Sequence, residues 1–199
     1  TNTTPVDPLE VDKPHYRSAN VEELTDVPAD KVMATEKIDG ASAIIAFGKK
    51  GADVFSYRTS VTGRPIVHTH RVSETGLKMP VPKEWQGKML RGELYGVRDG
   101  KAIPASELGG ILNSALAKSL ETQKSTGVKL RVALFNTIGN DDEPYPKRWD
   151  KMQEALKFLP GDIFHLPRAA RTPEEIKDLW EDTVGGRNPR TSEGIVVQP

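Results

Sequence analysis

The apolar residues of this chain gather in short blocks whose spacing separates strands from helices. Blocks rich in β-branched residues predict strands over 31–36, 42–47 and 54–58, divided by Gly40 and by the turn Lys49-Lys50-Gly51-Ala52. Residues 59–87 keep no clear period and are broken by Pro and Gly, which predicts a long functional loop with some strand character. Further strands are expected over 88–95, closed by Gly96, over 128–138, and over 194–197. Leu108, Ile111, Leu112, Ala115, Leu116 and Leu120 recur at helical spacing and predict one amphipathic helix over 105–120. Trp149, Met152, Leu156 and Leu159 do the same for 147–159. Thr172-Pro173-Glu174-Glu175 reads as a helix start, with a capping hydroxyl, proline at the first helical position and acids at the positive end. That helix is expected to run to about Val184 and stop at Gly185-Gly186. Residues 1–30, rich in proline and acids, are expected to form an extended lead-in with one short helical turn over 18–24. Strands and helices mix without strict βαβ alternation, so the fold class is α+β rather than a parallel doubly wound sheet.

Composition narrows the chemistry. The chain has no cysteine, which excludes disulfides, thiolate metal sites and cysteine nucleophiles. No apolar run approaches the ~20 residues of a membrane span, and no signal peptide heads the chain, so a cytoplasmic, intracellular protein with no membrane partner is expected. Formal charge is zero, from 28 basic and 28 acidic residues. Between Arg58 and Lys101, however, nine Lys/Arg stand against four acids, a local charge of +5 that can guide a phosphate backbone.

The most informative stretch is Thr35-Glu36-Lys37-Ile38-Asp39-Gly40-Ala41-Ser42. A lysine leaves an apolar strand and is followed by an Asp-Gly turn and a second strand, which fixes its amine at the mouth of a sheet. An ordinary lysine, with a pKa of ~10.4, carries little free amine at neutral pH, so a nucleophile here needs nearby cations or a metal. Taken alone, the stretch reads better as a plain hairpin, because Asp-Gly is a strong turn signal and lysine a common flank.

Four further stretches follow it in order. They are Ser56-Tyr57-Arg58, Leu90-Arg91-Gly92-Glu93-Leu94-Tyr95-Gly96, Val132-Ala133-Leu134-Phe135-Asn136 and Ser192-Glu193-Gly194-Ile195-Val196-Val197. Together with Lys-x-Asp-Gly, this series resembles the covalent nucleotidyltransferases, and within them the adenylation domain of ATP-dependent DNA ligases. The resemblance implies antiparallel sheets flanked by helices, with the nucleotide in the cleft between them, built from residues 31–199. It implies Lys37 as the nucleophile that attacks the α-phosphate of ATP and carries AMP as a phosphoramidate. Asp39 belongs to the same catalytic motif, and Glu193 would serve catalysis and Mg²⁺. Arg58 would contact the nucleotide and later the 5′-phosphate, Glu93 a ribose hydroxyl, and Phe135 the adenine face. Glu36 and Ile38 would line the base pocket.

ATP and Mg²⁺ are therefore the implied cofactors. A monomer acting on nicked duplex DNA, associated with the nucleoid and of phage or plasmid type, is the implied setting. Arg58, Arg64 and Arg71, in the basic window, are the candidate nucleic-acid contacts. Two positions depart from the DNA ligase pattern. Ser42 stands five residues after Lys37, where many DNA ligases have arginine, and Asn136 follows Phe135 where aspartate is usual. The first brings the stretch nearer to RNA ligases, which are the alternative reading. A non-catalytic nucleic-acid-binding remnant of the fold is the other alternative, and a guanylyltransferase would be marked by a preference for GTP. The chain reaches Pro199 before the family's two-lysine strand and oligonucleotide-binding domain. A truncated chain, weak in lysine adenylation, is therefore expected.

Other features read as structural. His68-Thr69-His70 presents two imidazoles without a third ligand and reads as surface or loop histidines. Asp141-Asp142-Glu143 lacks the spacing of a calcium loop. Gly109-Gly110 lacks the lysine of a phosphate-binding loop, and Trp85, Trp149 and Trp180 read as core or loop anchors.

Overall fold

A computed structural model of the chain describes residues 2–7, 10–11, 33–140, 142–183 and 192–198. The strand-like blocks assemble into two sheets. In the smaller sheet, β1 (Met33–Ile38) lies between β10 (Ala169–Ala170) and β11 (Ser192–Gln198), antiparallel to both. The larger sheet has the order β4 (Pro65–Val67), β3 (Gly51–Thr59), β2 (Ala41–Phe47), β6 (Met89–Arg98), β8 (Lys129–Thr137), β9 (Phe164–His165). Two short strands, β5 (Leu77–Lys78) and β7 (Lys101–Ala102), add to β3 and β6. All of these pairings are antiparallel except β8–β9.

Strand alternation divides the larger sheet into two faces. Ala43, Ile45 and Phe47 of β2, Leu90 and Leu94 of β6, and Leu130, Val132 and Leu134 of β8 point to one side. There they meet Leu108, Ile111 and Leu112 of α2 (Ala105–Asn113) and Tyr145, Trp149, Met152 and Ala155 of α4 (Tyr145–Leu156). Each large apolar side chain so buried contributes roughly 1.5–3 kcal/mol. On the opposite face, Ile44, Ala46, Phe55 and Tyr57 pack with Val11 of the lead-in. Both faces of β2 are thus covered over residues 43–47, which is why that part of its sequence is an unbroken apolar run. The smaller sheet is closed by α5 (Pro173–Thr183), whose Ile176 and Leu179 bury Ala34 and Ala170. As its sequence predicts, α5 is capped, with Glu175 N–H donating to the Thr172 hydroxyl at 3.2 Å.

Three expectations change. Residues 105–120 form α2 and the start of α3 (Leu116–Thr126), not one helix. The Ser114 hydroxyl donates to the Ile111 carbonyl, an alternative to the helical ladder, while its own carbonyl accepts from Arg71. The new register leaves Leu116 exposed. Residues 59–87 hold the expected strand character in β4 and β5, and in addition the unforeseen short helix α1 (Thr69–Val72) and a 3₁₀ turn at Lys83–Trp85. The start of the lead-in is anchored, because the Asn2 and Thr3 backbone N–H groups donate to the buried Asp53 carboxylate at 2.6 and 2.7 Å. The helical turn expected over 18–24, residues 31–32 of the first expected strand, Asp141, Val184 and the Gly185-Gly186 stop lie outside the described residues.

Candidate active site

Lys37 leaves β1 paired with Gly194 of β11, and the next residue, Ile38, packs on Tyr95 and Ala133 of the larger sheet. Ile38 therefore ties the two sheets together just where the lysine emerges. The chain then turns through Asp39 and Gly40 into β2. Gly40 does not have the positive φ that the turn signal suggests. Its need for glycine is steric, since a Cβ there would lie 2.3 Å from the Leu94 carbonyl oxygen of β6. That approach lets the Gly40 N–H donate to Glu93 Oε1 at 3.0 Å. The motif glycine thus docks the lysine-bearing turn against β6 and orients a carboxylate of the site.

A cavity of about 210 Å³ opens between the sheets at this point. Lys37, Asp39, Gly40 and Ser42 line it together with Glu36, Ile38, Glu93, Ala133 and Phe135. Glu93 belongs there by alternation, since Leu90 and Leu94 of the same strand face the helices. Phe135 arrives differently. Arg91 pairs with Asn136 and Gly92 with Leu134, so Phe135 is the extra residue of a β-bulge, a device that re-aims one side chain. The Tyr145 hydroxyl donates to the Phe135 carbonyl at 2.6 Å and holds the bulge from the core side. Beside it, Asn136 Nδ2 donates to Gln198 Oε1 at 3.2 Å, a second tie between the sheets.

Glu36 is committed to its surroundings. Its carboxylate accepts from the Arg168 N–H at 3.0 Å and its own N–H donates to the Arg168 carbonyl. Nearby, His165 Nδ1 lies 3.0 Å from the Leu166 carbonyl and Nε2 lies 2.6 Å from the Tyr95 hydroxyl. A carbonyl only accepts, so Nδ1 carries the proton and Nε2 accepts from Tyr95. Burial lowers the His165 pKa and keeps the ring neutral, and burial likewise raises that of Tyr95. This pair braces the segment that brings Pro167 to the cavity wall.

The three arginines do not line the cavity. Arg58 is exposed near the end of β3, and Arg64 is exposed in the turn that follows. Arg71 is half-buried and donates to the Val67 and Ser114 carbonyls at 3.1 and 2.8 Å, which joins α1 to the α2–α3 break. The backbone of Glu193 lies in β11 at the irregularity beside Lys37 and Ile38, and its side chain lies outside the described atoms. His68 is not a surface histidine. It is 4% exposed, and burial together with the charge of Arg71 lowers its pKa to about 4. His70 is exposed, with Nδ1 facing the Glu74 carbonyl. Among the described residues no group of three or more His, Asp or Glu forms a metal cluster. The donors at the cavity suit a hard cation shared with phosphate oxygens rather than an all-protein cage. Trp85 and Trp149 are buried in the main core, and no described helix is long and apolar enough to cross a membrane.

Sequence reasoning missed Thr35, Pro167, Val196 and Gln198, which also line the cavity. Thr35, Val196 and Gln198 depend on the β1–β11 pairing for their position, and no local pattern signals that pairing.

No protein-family model matches this chain, and no curated protein matches it. Solved structures do. A Lig E DNA ligase, described as binding DNA with a minimal scaffold, is 14% identical, with 87% of this chain and 57% of that one covered and a TM-score of 0.51. The ATP-dependent DNA ligase of bacteriophage T7, in complex with ATP, is 16% identical over 89% of this chain and 59% of that one, with a TM-score of 0.49. A mycobacterial DNA ligase D complexed with ATP and MES gives 9%, 83%, 47% and 0.44. The first likeness shows that this chain shares its α+β fold with that Lig E DNA ligase. This chain spans about half the length of these solved structures, between 47% and 59% of each.

Proposed function

We propose that this chain is the catalytic nucleotidyltransferase portion of an ATP-dependent DNA ligase and that Lys37 takes up AMP. The observation that carries the reading is the convergence of Lys37, Asp39, Glu93 and Phe135 on one cavity between the sheets. These residues come from three separate sequence stretches. In the proposed reaction the deprotonated Lys37 amine forms a bond to the α-phosphorus of ATP. The bond from that phosphorus to the β-phosphate bridging oxygen breaks, and pyrophosphate departs. Glu93, oriented by the Gly40 N–H, accepts from a ribose hydroxyl, and the re-aimed Phe135 stacks on the adenine. Asp39 lies on the rim beside the nucleophile, and Ile38 and the Glu36 segment wall the base pocket. Mg²⁺, held by phosphate oxygens and one or two carboxylates, Glu193 included, would supply charge neutralisation at the transferring phosphate.

Arg58, exposed near the end of β3, and Arg64, exposed in the turn after it, would meet the phosphates of nicked duplex DNA, with the chain acting as a monomer. Ser42 on the cavity wall, where many DNA ligases carry arginine, favours RNA ligation as the second reading. Incubation with labelled ATP and Mg²⁺ is expected to label the wild-type chain on Lys37, and sealing of nicked all-DNA against RNA-containing duplexes then separates the two readings. Exclusive joining of RNA would overturn the DNA assignment. Absence of any lysyl-AMP would favour a non-catalytic nucleic-acid-binding domain.

A further inference from the structure

The amide of Gln198, on the cavity wall, and that of Asn136 behind it take their orientation from a buried cation. Arg148 is 6% exposed, lies over the Tyr145 ring at 5.2 Å, and donates from Nε to the Glu143 carbonyl at 3.0 Å. Its Nη1 then donates to Asn136 Oδ1 at 2.8 Å, and the Thr137 backbone N–H donates to the same oxygen at 2.9 Å. Two donors on one oxygen define which end of the Asn136 amide is the carbonyl. Its Nδ2 is left to donate, and it does so to Gln198 Oε1 at 3.2 Å. With Oε1 turned to Asn136, the NH₂ group is the end of the Gln198 amide left to meet a ligand in the cavity that this side chain lines.

We infer that Gln198 reads the edge of the bound base as a hydrogen-bond donor to a purine ring nitrogen, with Asn136 as the positioning residue that sets its polarity. The inference rests on the nucleotidyltransferase reading above and adds to it the group that inspects the base. Phe135, next to Asn136 in the chain, would present the stacked ring to that donor. A carboxylate at position 136, the residue usual in DNA ligases, would reverse the relay. One oxygen would take Arg148 and the other would demand a donor from Gln198. The Gln198 amide would turn around, and its carbonyl would face the base and accept from the 6-amino group of adenine.

The test is titration calorimetry of the wild-type chain, Asn136→Asp and Gln198→Leu with AMP, purine riboside 5′-monophosphate (which lacks the 6-amino group), 1-deaza-AMP and 7-deaza-AMP. Wild type is expected to bind the purine riboside within about twofold of AMP and to lose about fivefold with one of the deaza analogues, the effect of one hydrogen bond. Asn136→Asp is expected to invert this, losing about fivefold with purine riboside and nothing with the deaza analogue. Gln198→Leu, which leaves the Arg148–Asn136 pair intact, is expected to bind AMP and the sensitive deaza analogue alike, and it carries the test if Asn136→Asp does not fold. A wild-type penalty for loss of the 6-amino group overturns the inference, as does an Asn136→Asp pattern identical to wild type. So does a deaza penalty that survives in Gln198→Leu. Binding with this pattern but without lysyl-AMP would remove the ligase reading and leave the base reader standing, whereas no binding of any purine nucleotide removes both.

Discussion

Replacing Gly40 by alanine tests whether the motif glycine serves close approach rather than turn geometry. The added Cβ would sit 2.3 Å from the Leu94 carbonyl oxygen and 3.1 Å from Tyr95 Cβ. The first contact is with backbone in the middle of β6, paired on both sides, and cannot rotate away. Relief to the 3.0 Å that real Cβ contacts respect needs a shift of about 0.7 Å in the turn. A shift of that size stretches the 3.0 Å Gly40–Glu93 bond beyond hydrogen-bonding range. Overpacking costs about 1–3 kcal/mol, and loss of a bond to a charged acceptor costs about 1.5–3 kcal/mol. The reduced freedom of the unfolded chain offsets about 0.4–1 kcal/mol. The net expectation is a loss of about 2–5 kcal/mol, read by urea unfolding as a lower midpoint with an unchanged slope. Gly109→Ala in α2 is the control. Its Cβ meets only Asn113 Nδ2 at 3.7 Å, and alanine there is expected to stabilise by about 0.5–1 kcal/mol. A Gly40→Ala protein within about 0.5 kcal/mol of wild type, on the scale of an ordinary surface change, would refute the close-approach explanation.

Four other outcomes follow from the structure. His68 has a folded pKa of about 4, below the ordinary 6.5, so the unfolded chain binds the proton first as pH falls. Its contribution to stability is full above pH 6.5 and is lost between there and about pH 4, by up to about 3 kcal/mol; a His68→Gln protein whose pH–stability curve parallels wild type over that window would contradict this. Tyr145→Phe removes the donor to the Phe135 carbonyl and is expected to cost about 1–2 kcal/mol while weakening ATP binding with Lys37 intact. Unchanged nucleotide affinity in that variant would show that the bulge does not depend on the hydroxyl. Arg64→Glu is expected to weaken nucleic-acid binding more at low salt than at high salt without loss of stability. Arg71→Ala is expected to lower stability by about 1–2 kcal/mol through the two carbonyls it leaves, and equal salt-dependent binding defects in the two variants would undo that distinction.

The lysine turn and the glutamate strand were legible because both follow from short-range patterns. The strand-like block before Lys-x-Asp-Gly places Lys37 at a strand end, and the strand expected over 88–95 carries Glu93, whose cavity role came from the resemblance and whose face follows once Leu90 and Leu94 are seen to meet the helices. Phe135 was legible only through resemblance, since its aim depends on one extra residue in β8 against β6. That mismatch exists only once the register is known. The break between α2 and α3 was hidden for a related reason. Leu116 and Leu120 keep the helical period, but Ser114 leaves the ladder to satisfy Ile111 and Arg71, partners chosen by tertiary position. Gln198 and Thr35 carry no chemical signal of their own, and they reach the cavity through the β1–β11 pairing. The burial of His68 likewise comes from packing, in a stretch whose sequence suggests an open loop.

The most direct test of the central proposal is to incubate the chain with α-labelled ATP and Mg²⁺ and to locate the label by peptide mass spectrometry. A single adduct of AMP on Lys37, stable to alkali as a phosphoramidate and absent from Lys37→Ala, is the expected result. An unlabelled wild-type chain, or label that persists in Lys37→Ala, would contradict it.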